Sequence, residues 1–75
     1  MKRGGEVHTV PAPSGSRWWN MFEGKVLSRH RTKELAVAAG RQSAKDLGVE
    51  HSIHRLDGVI TEKNSYGNDP REMPG

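Results

Sequence analysis

Over residues 32–47, small and apolar side chains recur at helical spacing. Ala36, Gly40, Ser43 and Leu47 form one stripe with Val37 and Ala44 beside it, which predicts a helix with one buried side. Leu35, Ala38 and Ala39 add helix propensity. Thr32 suits the N-cap, Glu34 the positive helix end and Gly48 the left-handed stop. Because the stripe is mostly small, the helix is expected to lie close to the element it covers. Larger residues must then fill the space, and Trp19 is the expected filler.

Elsewhere the period shortens to two. Residues 6–10 alternate weakly and are rich in β-branched types, which predicts a short strand. Pro11, Pro13 and Gly15 form a turn cluster that ends its ladder. Residues 17–23 and 25–29 read as two strands joined by a tight Glu23-Gly24 turn. With that loop, Trp19, Met21 and Val26 share one face, while Trp18, Asn20, Phe22, Leu27, Lys25 and Arg29 share the other. Both faces hold an aromatic, so alternation leaves open which of them is inside. Residues 49–55 and 59–63 form a second hairpin around Leu56-Asp57-Gly58, with Ile53 and Ile60 on one face.

The order strand, hairpin, helix, hairpin predicts an α+β fold: an antiparallel sheet of two hairpins plus an N-terminal edge strand, with one helix on one face. Residues 1–5 are expected to be a flexible arm, 6–63 a single domain and 64–75 a turn-rich polar tail. The expected core is Trp19, Met21, Val26, Leu35, Ala36, Ala39, Ser43, Leu47, Ile53 and Ile60.

Size limits what such a chain can do. At 75 residues it buries only about 60% of the surface its unfolded form exposes, which leaves room for a shallow site more readily than a closed one. It has no cysteine, hence no disulfide, thiolate ligand or thiol nucleophile, and a reducing cytoplasm is the expected setting. No apolar run is long enough for a membrane span. Met1, Lys2 and Arg3 have no apolar segment behind them and are not expected to form a signal peptide. Twelve Lys and Arg against nine Asp and Glu give +3, which permits a nucleic-acid partner without requiring one.

The last third of the chain resembles a known family. Ile53-His54-Arg55-Leu56-Asp57-Gly58-Val59-Ile60, followed by Ser65-Tyr66-Gly67 and Asp69-Pro70, is similar to the bacterial domain of unknown function 2188. Upstream, Trp19, Ser28-Arg29, Thr32 and Ala36 also fit its pattern, so the resemblance covers roughly residues 6–72. It implies a bacterial or phage origin and the fold order above, and it supplies no reaction. Arg55, Leu56 and Val59 replace the Gly-Arg and the following basic residue typical of the family, so the hairpin tip is less basic.

Candidate chemistry is sparse. His51 and His54 have ligand-like spacing, but on a strand they point to opposite faces, so neither a metal site nor a cofactor is expected. Ser65, His54 and Asp57 are the one triad-like set, and Asp57 is better explained by the turn, so no enzyme is expected. Arg17, Trp18, Phe22, Lys25 and Arg29 form the candidate binding surface. Exposed together, its aromatic residues suit a protein partner or self-association. Alternatively they stack nucleic-acid bases while the cations hold phosphates. A non-enzymatic binding or assembly module is the expected function, with a nucleic-acid binder as the alternative.

Overall fold

A computed structural model describes residues 5–66. Five strands and one helix follow in the order β1 (Glu6–Pro11), β2 (Trp18–Phe22), β3 (Lys25–His30), α1 (Lys33–Leu47), β4 (Glu50–His54) and β5 (Ile60–Ser65). The fold is α+β, as expected. The helix caps are those expected: Thr32 Oγ1 accepts from Leu35 N–H at 3.2 Å, and Gly48 stops the helix at φ 68°. The β2–β3 turn puts both Glu23 and Gly24 at positive φ, 51° and 81°, the backbone of a two-residue hairpin loop. Among the described residues no helix is long and apolar enough to cross a membrane.

The sheet is mixed rather than wholly antiparallel. Its strand order is β3-β2-β1-β4-β5, and β1 runs parallel to β4. The N-terminal strand is therefore the centre of the sheet and not an edge. Its burial explains the position: Val7 and Thr9 are fully enclosed beneath the helix. The helix carries the chain from β3 across one face to β4, so β4 joins β1 from the far side. Pro11 closes β1 at its last pair, opposite Trp18.

The expected core needs correction. The stripe under the helix is Ala36, Gly40 and Ala44, all buried, and Ile53 is buried with it. Val7, Ala44 and Val49 form the apolar centre, with Phe22, Leu47 and Tyr66 packed against it. Trp19 is not there. It lies opposite Val10, while Met21 lies opposite both His8 and Val26, and all five face away from the helix. Leu35 and Ile60 are 56% and 46% exposed. A bulge displaces Ile60: it pairs with His54, while Glu62 pairs with Ile53.

Polar side chains fill the space assigned to Trp19. A Cβ built on Gly40 would stand 2.5 Å from Asn20 Oδ1 and 2.7 Å from both Thr9 Oγ1 and His51 Nε2. The helix backbone thus rests directly on a polar layer. At an exposed helical site, Gly→Ala gains about 1 kcal/mol. Here Gly40→Ala should instead lose about 2–3 kcal/mol through overpacking. Urea unfolding of the variant beside the parent protein measures the difference.

Candidate functional site

The two faces of the sheet differ in kind. On the helix side, polar groups link across four strands. Thr9 Oγ1 donates to Asn20 Oδ1 at 2.6 Å and stands 2.7 Å from His51 Nε2. The hydroxyl hydrogen is thereby used, so His51 Nε2–H donates to Thr9. Asn20 Nδ2 donates to Ser28 Oγ at 3.2 Å and to the Ala36 carbonyl at 2.9 Å. Ser28 Oγ continues to His30 Nε2 at 2.8 Å. His51 is completely buried, and its Nδ1 has no partner. Burial foremost, with the charge of Arg41, pushes its pKa down, and a neutral ring with a bare Nδ1 matches that direction.

The opposite face has no element over it among the described residues. Its β4–β5 half is charged. Ser52 Oγ donates to Glu6 Oε1 at 2.7 Å, and Lys63 Nζ stands 3.4 Å from Glu6 and 3.5 Å from Glu50. The Ser52 hydrogen bond, with help from Lys63 and His8, holds the Glu6 carboxyl below its ordinary range. The β1–β2 half is apolar. Val10, Pro11, Pro13, Trp19 and Met21, with His8 and His54 at one side, line a depression of about 440 Å³. The Arg29 guanidinium lies 5.5 Å from the Trp19 ring centroid. Between the two halves, His8 Nδ1 is 3.1 Å from His54 Nε2.

The five residues of the expected binding surface do not share one face. Trp18 and Phe22 are half-buried on the helix side, with Lys33 Nζ 5.6 Å from the Trp18 ring. Arg29 lies on the other side because Leu27 bulges: Asn20 pairs with Ser28, but Met21 pairs with Val26, so Arg29 falls opposite Trp19. Arg17 and Lys25 are exposed at opposite ends of the first hairpin. A second concavity of about 610 Å³, lined by Trp18, Lys33, Arg55, Leu56 and Asp57, lies beside the helix start.

The motif residues in β4 and β5 have visible structural work. Asp57 Oδ1 accepts from Val59 N–H at 3.1 Å, and its carboxylate pairs with Arg55 at 3.0 Å. Those bonds, the backbone one foremost, lower its pKa. Gly58 turns at φ 88°, and its carbonyl accepts from His54 Nδ1 at 3.0 Å. Ser65 pairs with Glu50, at the far end of β4 from His54, so the triad-like set is not assembled. Tyr66 packs on the apolar centre, with Lys45 5.7 Å from its ring. Gly67, Asp69 and Pro70 lie outside the described residues. Sequence reasoning missed His8, which only the parallel β1–β4 pairing brings to His54.

The chain matches, over residues 7–66, the family described as "Uncharacterized protein conserved in bacteria (DUF2188)", and it belongs to that family. No curated protein and no solved structure matches it.

The buried histidine makes stability depend on pH with a definite sign. Its folded pKa is depressed below the ordinary 6.5, so the unfolded chain binds the proton more readily. Stability is full above pH 6.5, falls as pH drops below it, and levels off at the folded pKa. His51→Gln keeps a donor near the Nε2 position and cannot ionise. Urea midpoints from pH 7.5 to 5 should fall more steeply for the parent protein than for H51Q.

Proposed function

We propose that this family member is a non-enzymatic, cytoplasmic binding module that docks a partner protein on the uncovered face of its sheet. The observation that carries this reading is the depression around Trp19 and Met21, which is apolar and has no layer over it among the described residues. A half-buried tryptophan beside Val10 and two prolines offers a place for one bulky apolar side chain. Burying such a side chain contributes about 1.5–3 kcal/mol, enough to anchor a transient interface. Arg29 at the rim and the net charge of +3 favour acidic residues beside that anchor.

Two features of the same face disfavour nucleic acid. Arg29 already lies over Trp19, where a base would stack. Glu6 and Glu50 stand on the face a phosphate backbone would cross. The other aromatics of the first hairpin, Trp18 and Phe22, sit on the helix side and cannot join Trp19 in one stacking platform.

Selection of random peptides on the immobilised protein tests this. The expected consensus is one bulky apolar residue flanked by Asp or Glu, with binding weakened about tenfold or more by Trp19→Ala. Sedimentation that reveals a Trp19-dependent dimer would replace the partner by a second copy. Salt-sensitive binding of single-stranded DNA or RNA, lost in the same variant, would replace it by nucleic acid.

A further inference from the structure

We propose that His8 and His54 form a two-histidine site for a late first-row transition-metal ion, Cu²⁺ foremost. The site does not depend on the partner reading, although it borders the same depression.

The tautomers are set by the neighbours. His54 Nδ1 lies 3.0 Å from the Gly58 carbonyl, which only accepts, so Nδ1 carries the hydrogen and Nε2 presents a bare lone pair. A metal-bound imidazole is commonly oriented by such a bond from its other nitrogen to a carbonyl. The bare Nε2 stands 3.1 Å from His8 Nδ1. Without metal, His8 Nδ1–H donates across that gap. With metal, the ion replaces the shared hydrogen, and His8 takes its proton on Nε2 instead. That nitrogen faces Glu6 Oε1 at 3.8 Å, and Ser52 and Lys63 keep the carboxylate ionised.

The spacing suits shared coordination. Bonds of about 2.0 Å place two nitrogens about 2.8 Å apart at a right angle and about 3.3 Å apart at a tetrahedral one. The 3.1 Å separation lies between them, and with the ring centroids 5.3 Å apart the two nitrogens face each other, so a swing of the rings turns both lone pairs onto one ion. Both rings reach solvent, so water can complete the coordination. Among the described residues no group of three or more His, Cys, Asp or Glu could hold a metal, so the site is an open one with two protein nitrogens. With imidazole ligands and no protein cage, the order of intrinsic affinities selects Cu²⁺ over Zn²⁺, Ni²⁺ and Co²⁺. Met21, opposite His8 on β2, adds a soft neighbour.

Titration of the metal-free protein with Cu²⁺, followed by tryptophan fluorescence and electron paramagnetic resonance, tests the site. The expected result is saturable binding of one equivalent, quenched emission from the adjacent Trp19, and hyperfine structure from two nitrogens. His8→Ala leaves the His54–Gly58 bond intact, and should weaken binding at least about tenfold and remove one nitrogen from the spectrum. His30→Ala, outside the site, should change neither. No saturable binding, or binding unchanged in H8A, would overturn the proposal. Cu²⁺ binding as expected, with no peptide selected by the protein, would count against the partner reading alone.

Discussion

One hydroxyl group holds the two layers of this protein in register. Thr9 Oγ1, wholly buried on the central strand, gives its hydrogen to Asn20 and receives that of His51. Asn20 then ties the sheet to the helix through the Ala36 carbonyl. In a low-dielectric interior such a chain is strong when complete and costly when broken, at about 1–3 kcal/mol for each group left unpaired. Its compactness requires Gly40, the one residue type that lets the helix backbone rest on three polar atoms. The apolar centre around Val7, Ala44 and Val49 is small and lies toward one end of the helix. The polar layer therefore carries much of the specification of how the helix sits.

That arrangement decides what remains available for function. Polar side chains fill the helix side, so the large apolar residues of β2 and β3 that alternate with them are turned outward. Trp19, Met21 and Val26 become the surface of an uncovered sheet. The same alternation puts His8 and His54 outward, on strands that are near neighbours only because β1 and β4 run parallel. The anchor for a partner and the pair of nitrogens for a metal ion are thus two consequences of one choice about which face is inside.

Signals that act locally were legible in the chain. Thr32, Gly48, the Ala-rich run, Glu23-Gly24 and Asp57-Gly58 each fix backbone over a few residues, and the helix and both hairpins followed from them. The grouping of Trp19 with Met21 and Val26 was also readable, since it needs only alternation and a turn. What failed was non-local. No short-range feature says that β1 joins β4 in parallel, and that pairing puts the first strand at the centre. The bulges at Leu27 and Thr61 shift parity by one residue, which moved Arg29 and Ile60 to the other face. Thr9, Asn20 and His51 are polar, and nothing local in the chain marks any of them as interior. Only together do they satisfy one another's hydrogen bonds and become interior.

The account rests on His51 being neutral, with its proton on Nε2. Long-range correlation of ring nitrogens and carbon-bound protons by nuclear magnetic resonance at neutral pH reports this directly. The expected result is a His51 ring with Nε2 protonated and Nδ1 bare, keeping that neutral form to lower pH than an exposed histidine. A proton on Nδ1, or an imidazolium at neutral pH, would contradict the network that seats the helix and leaves the other face open.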